Sequence, residues 1–207
     1  MLIQIEKITL SKTSKMPCKS FSTSPANCVT GAKLARIKGS VCHSCYARKG
    51  FYYMPSVKAA HARNLLSLEQ PDWVDRMEQT IGAEKNPHFR WHDAGDVQHT
   101  QHLENIAEIA RRLPLKRFWL PTKELTLVLR YLRKHGAFPA NLTVRVSAYM
   151  VDGPAPSIPL PVSTVRSKHG PVPVSARACP APSQGGACGE CRACWDPTVR
   201  EINYEQH

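Results

Sequence analysis

The chain has 207 residues, 42% of them hydrophobic, enough for one two-layer domain with its own core, and it contains no apolar run near membrane-spanning length. Its 28 Lys and Arg against 16 Asp and Glu give a formal charge of +12, and the excess is uneven: before Glu69, eleven basic residues face the single acid Glu6. An end of that kind attracts polyanions, so nucleic acid is one candidate partner of the basic N-terminal third; the other reading is compensation of a negatively charged metal centre.

The opening MLIQIEKITL has no basic stretch leading into a long apolar core, so no export signal is expected and the chain is read as cytoplasmic. Residues 2–10 read as a first strand. A loop rich in Ser, Lys and Gly follows, carrying Cys18, Cys28, Cys42 and Cys45 and closing the segment 1–54. Helical periodicity begins after Pro55. Trp73, Val74, Met77 and Ile81 share one face over 72–82; Leu103, Ile106, Ala107, Ala110 and Leu113 share another; Leu125, Val128, Leu129 and Leu132 form a third stripe ended by Gly136. Between them lie short strands at 88–92, 117–120, 143–147, 162–166 and 172–176. Strand and helix alternating through short connections predict a parallel sheet with right-handed crossovers, and five or six strands suit a partial parallel (β/α) barrel. The chain is therefore read as one domain, 1–207, with a β/α core at 55–178 and a cysteine-rich segment at 179–207.

Within the strands the polar residues fall on one side, Arg90 with His92 and Arg145 with Ser147, and would line a shared concave surface. Just beyond the strands come His92-Asp93-Ala94-Gly95-Asp96, Pro121-Thr122-Lys123-Glu124 and Ser147-Ala148-Tyr149. Ionisable residues that converge at strand ends grip ligands, so His92, Asp93, Asp96, Lys123, Arg145 and Ser147 are the candidate catalytic residues. The plainer reading makes Asp96 and Thr122 helix caps and His92 a satisfied core histidine.

The eight cysteines carry the strongest signal. Cys42-x2-Cys45 and Cys188-x2-Cys191-x2-Cys194 have chelate spacing, and the triple repeat matches the opening of the bacterial ferredoxin run, with Cys179-Pro180 upstream to complete it. A reducing compartment disfavours disulfides. The expected cofactor is one or two four-iron (4Fe-4S) clusters, with zinc as the alternative metal; two separate clusters, or one that draws on both groups, fit the spacing equally.

The pieces Cys42-His43-Ser44-Cys45-Tyr46-Ala47, Arg90-Trp91-His92-Asp93-Ala94-Gly95-Asp96, Trp119-Leu120-Pro121-Thr122-Lys123-Glu124, Asn141 through Ala148, and Cys179-Pro180 through Cys194-Trp195 resemble the phage proteins of the gene product 88 family. A phage-encoded chain would act in the host cytoplasm. More distantly, the Cys-x2-Cys-Tyr-Ala loop, the Leu-x-Thr-Lys strand end and the Asn-Leu-x-Val-x-Val-Ser strand are similar to phage proteins that look like trimmed radical S-adenosylmethionine enzymes. That likeness implies a cluster loop after the first barrel strand, S-adenosylmethionine as a candidate cofactor, and Gly95-Asp96 near its amino group. The chain departs from those enzymes in one respect: their Cys-x3-Cys-x2-Cys is represented only by its last pair, and Cys28 is the next cysteine upstream. If Cys18 also binds there, the N-terminal cluster has no open iron. The expected function is redox or radical-type chemistry at the strand ends. The alternatives are a metal-stapled module that binds nucleic acid without catalysis, or an electron carrier with a redox partner.

Overall fold

The computed structural model describes residues 8–168 and 170–206. Strands β1 (Ser20–Phe21), β2 (His88–Trp91), β3 (Arg117–Thr122), β4 (Leu142–Val151), β5 (Val162–Arg166), β6 (Arg177–Ala178) and β7 (Glu201–Glu205) form one sheet in the order β1-β2-β3-β4-β5-β7-β6. Every pairing between these strands is parallel. The helices are α1 (Val29–Leu34), α2 (Pro55–Ser67), α3 (Trp73–Gly82), α4 (Thr100–Arg112) and α5 (Leu125–His135). Among the described residues β1 and β6 end this order, and an isolated antiparallel bridge from Ser11 to Ser20 covers the outer side of β1, so the sheet is an open parallel α/β sheet.

Strands β1 to β5 lie side by side in chain order, which right-handed crossovers produce only when the connecting helices gather on one face. The main core lies there: Phe89, Trp91, Phe118, Leu120, Val144 and Val146 from the strands meet Met77 and Ile81 of α3, Leu103 and Ile106 of α4 and Val128 of α5. The other face has a smaller core of Cys18, Trp119 and Trp195, with Met16, Cys194 and Tyr204 packed against it. It is covered by chain from the two ends of the sequence.

The cover is fastened by polar bonds. The Trp195 indole N–H donates to Phe89 O (2.8 Å), and Thr143 Oγ1 donates to Trp195 O (2.8 Å). Arg145, fully buried in β4, forks onto four carbonyls, Val162 and Val199 from one nitrogen and Ala193 and Asp196 from the other, at 3.0 to 3.3 Å. Among the described residues no carboxylate hydrogen-bonds to it; the guanidinium is a brace for the segment that carries Cys191 and Cys194.

The helices at 73–82, 100–112 and 125–135 and the strands from 88, 117, 142 and 162 follow the predicted pattern. Three elements differ. The strand expected over 2–10 lies outside the described residues up to residue 7, residues 8–10 form none, and Ser20–Phe21 takes the place beside β2. Residues 172–176 are not a strand: Pro171 and Pro173 have no N–H to give a ladder, and Val174 is fully exposed. The strand β7, not anticipated, is inserted between β5 and β6.

Replacing Arg145 by Met should lower stability by about 2–4 kcal/mol, because several buried carbonyls lose their donor. Arg145→Lys should recover little, since one ammonium cannot span the fork. Urea unfolding, with limited proteolysis of residues 185–196, checks both.

Candidate metal centres

All eight cysteines are free thiols. The structure sorts them into groups of three and five rather than four and four.

The smaller group, Cys28, Cys42 and Cys45, lies at the C-terminal ends of the central strands. Cys28 precedes α1, whose Thr30 donates its N–H and hydroxyl to the Glu124 carboxylate just beyond β3, at 2.8 and 2.7 Å. The following segment crosses the end of β4, with Val41 N–H to Tyr149 O and Val151 N–H to Gly39 O, both 2.9 Å. The Tyr46 hydroxyl, next to Cys45, donates to Asp93 O (2.5 Å) beyond β2. Gly31 lets the thiols approach: a Cβ there would stand 2.9 Å from Cys28 Cβ and 3.5 Å from Cys42 Sγ, so the two cysteines flank one point. Burial pushes the Cys28 thiol up, and Asp96, Cys42 and Cys45 push it further. Burial also raises Cys42, opposed by Lys123.

Two aspartates fix this end. Asp93 accepts from Ser20 Oγ (2.5 Å), from Ser22 Oγ and from Tyr52 Oη (2.9 Å). Burial alone would raise its pKa, but Arg90 and those three hydroxyls hold it below the usual range. Asp96 accepts from Val97 N–H (2.7 Å) and Thr122 Oγ1 (2.6 Å) on one oxygen and from Lys123 N–H (2.9 Å) on the other. It thus latches the end of β2 to the end of β3; the residue that caps α4 is His99. Burial outweighs these bonds and pushes Asp96 up to about 6. Gly95 has φ +88°, and a Cβ there would collide with Thr23.

The larger group, Cys18, Cys179, Cys188, Cys191 and Cys194, lies on the face away from the helices. Cys179, Cys191 and Cys194 line one small cleft with Ile202. Cys188 Sγ is 3.9 Å from Met16 Sδ, and Cys188 N–H donates to Lys15 O (3.0 Å), which brings the C-terminal run against the segment before Cys18. Cys18 and Cys194 share the small core with Trp119 and Trp195. Burial pushes Cys18 up to about 12, opposed by Arg90, with Cys188 adding to the rise. Burial likewise takes Cys194 to about 12 against the pull of Tyr204, whose Oη lies 3.2 Å from the sulfur, and of Arg145. Among the described residues no three His, Cys, Asp or Glu side chains are arranged to hold one metal ion.

Of the other candidates, Lys123 faces the three-thiol group, whereas Arg145 is the brace described above and Ser147 is buried on β4, accepting from Ser163 Oγ (3.1 Å). His92 leaves the strand with φ 62°, its Nδ1 3.2 Å from Phe21 O and its ring edge-on to His102 at 5.3 Å; burial takes it down to about 4, so it is a neutral histidine. Sequence reasoning passed over Arg90. It donates to Tyr46 Oη (3.2 Å) and approaches Met16 Sδ (3.6 Å), stacks on Trp119 at 4.6 Å, and bears on Asp93, Cys18 and Cys188. Its place on the polar face of β2 was the available signal.

Fold and site together define a parallel α/β protein with two thiol groups, one at the strand ends and one on the face away from the helices. The family model of Gene product 88 matches residues 4–197, and the chain belongs to that phage family. No curated protein and no solved structure matches it. No helix among the described residues is long and apolar enough to cross a membrane.

Asp96 gives a pH test. Its carboxyl is raised in the folded state, so its contribution is fully present below about pH 4 and is lost as pH rises through about 6, a change of up to about 3 kcal/mol. Asp96→Asn lacks this term and leaves the Lys123 N–H without a carboxylate. Between pH 7 and pH 4.5, urea unfolding of the metal-free protein should show the stability of wild type over Asp96→Asn growing as pH falls; a constant difference refutes it.

Proposed function

We propose that this chain is an iron–sulfur protein whose sheet serves as a partial barrel, with redox or radical-type chemistry at the three-thiol strand end. One observation carries the reading: Cys18 stands with the C-terminal cysteines, which leaves Cys28, Cys42 and Cys45 together beside Lys123, Asp96 and Glu124. Cys179, Cys188, Cys191 and Cys194 are then four ligands for one four-iron cluster, with Cys18 as a neighbouring fifth thiol. The other three would hold a second cluster with one iron lacking a protein ligand, where S-adenosylmethionine is the candidate small ligand.

The donor chemistry fits. Thiols that burial holds protonated become ligands only by losing protons to a metal, and Arg90, Arg145 and Arg192 around the larger group offset the charge that results. Four thiols fit either one tetrahedral zinc or the corners of a four-iron cluster, and the Cys188-x2-Cys191-x2-Cys194 repeat favours the cluster. A bound cluster would supply one-electron transfer. The chain's own residues position and shield: Asp96 fixes the turn around Gly95, Glu124 holds α1, and Lys123 places positive charge beside Cys42. Because both carboxylates are spent on internal bonds, a cluster that only carries electrons to a redox partner, or staples the loops, is the second reading.

Protein prepared without oxygen should be brown and carry roughly eight irons per chain, four per cluster. Cys28→Ala/Cys42→Ala should remove about half the iron, Cys188→Ala/Cys191→Ala the other half, and Cys18→Ala little of it. Stoichiometric zinc in colourless protein would falsify the iron reading. Electron paramagnetic resonance of the reduced protein separates the two readings: a spectrum that changes with S-adenosylmethionine only while Cys28, Cys42 and Cys45 are intact supports the open site, and an unchanged one leaves electron transfer or stapling.

A further inference from the structure

The first third of the chain presents a surface that the thiol chemistry does not use. Lys33, Arg36, Lys38, Arg48 and Lys49 are all exposed. Their two segments are held side by side, for the His43 ring nitrogen lies 3.1 Å from Ala35 O and His43 N–H donates to Ser40 Oγ (3.1 Å). Among the described residues only Lys19, paired with Glu84, draws a cation before Glu69 into a salt bridge with a carboxylate; the other ion pairs belong to later residues. Beside these charges the turn Gly50–Tyr53 holds Phe51 at 82% exposure and Tyr53 at 57%. Lys58 lies over the Tyr53 ring at 4.5 Å, which places a cation on an aromatic plane.

Large rings left in water next to unneutralised cations are the two ingredients of a strand-binding surface: cations follow the phosphates, and rings stack on bases that a duplex keeps paired. An acidic peptide would use the charges and leave the rings idle. We propose that this face binds single-stranded nucleic acid along the rim of the three-thiol site. The surface is independent of which metal the thiols hold.

The test is fluorescence anisotropy of the full chain with a labelled oligothymidylate of about 20 nucleotides, a duplex of the same length, and polyglutamate as competitor. The single strand should bind more tightly than the duplex, with affinity falling steeply between about 50 and 200 mM salt. Phe51→Ala/Tyr53→Ala should weaken it about tenfold at unchanged salt dependence, and Phe51→Trp/Tyr53→Trp should keep it. Lys33→Glu/Arg36→Glu/Lys38→Glu should weaken it and flatten the salt dependence by about 2 in logarithmic slope, three phosphate contacts at about 0.7 each. Circular dichroism and metal content of each variant should match wild type. No single-strand binding at low salt, tighter duplex binding, equal competition by polyglutamate with a neutral ring variant, or a dimer that the ring variant dissociates would each overturn the proposal.

Discussion

The guanidinium of half-buried Arg90 links the larger thiol group and the turn after Cys45 to the sheet, and several polar contacts converge on it. A cation in that position is costly unless opposite charge and hydrogen-bond acceptors surround it. Asp93 supplies the charge, Tyr46 an oxygen and Trp119 a ring face. Each of these also does something else: Asp93 holds β1 and the tyrosine turn, Tyr46 follows Cys45, and Trp119 floors the pocket of Cys18 and Cys194. One strand residue thus ties the N-terminal loop, the edge strand and the C-terminal cover to a common point.

The end of the sheet that results is assembled by hydrogen bonds more than by apolar packing. Asp96 joins the ends of β2 and β3, Glu124 joins β3 to α1, and Tyr149 Oη donates to Lys123 O (3.1 Å) from β4. Bonds of this kind specify direction as well as proximity, so the turns that present Lys123 and the three cysteines are fixed in register with the strands. The opposite end contrasts with it: a cleft lined by Leu132, Phe138, Leu142, Leu160 and several prolines lies at the start of β4 and has no ionisable group in its lining.

How much of this was legible in the sequence depends on how many faces an element buries. Helices α3, α4 and α5 have one apolar stripe, and β2 to β4 bury apolar residues against them, so periodicity found them. Strand β7 reads Glu-Ile-Asn-Tyr-Glu, polar and apolar in alternation, but the pattern is only five residues long and its polar residues are buried too, Glu201 accepting from Thr164 Oγ1 (2.7 Å) and Asn203 donating to the same hydroxyl (2.9 Å), so the short signal was passed over. The edge β1 is two residues long. Arg145 was legible as an unusual residue on the polar face of its strand, but its use was not, because backbone carbonyls fifty residues away leave no trace in composition. The cysteine spacings read as two groups of four, whereas the membership of Cys18 is set by the pairing of β1 with β2, a long-range fact.

That change of membership alters what the two groups can be. The five-thiol group packs against Trp119, Trp195 and Tyr204 on the sheet face, with Cys18 buried and arginines at its margin; compensating charge of that kind suits storage or transfer of an electron. The three-thiol group lies at the strand ends, and its border is the most basic part of the chain. On the iron–sulfur reading this is a division of roles, with the five-thiol group as reservoir and the three-thiol group as the place where something other than protein completes the coordination. A purely structural pair of staples would gain stability from every ligand it closes, and on that reading Cys18 would serve better among the first group than beside four other thiols.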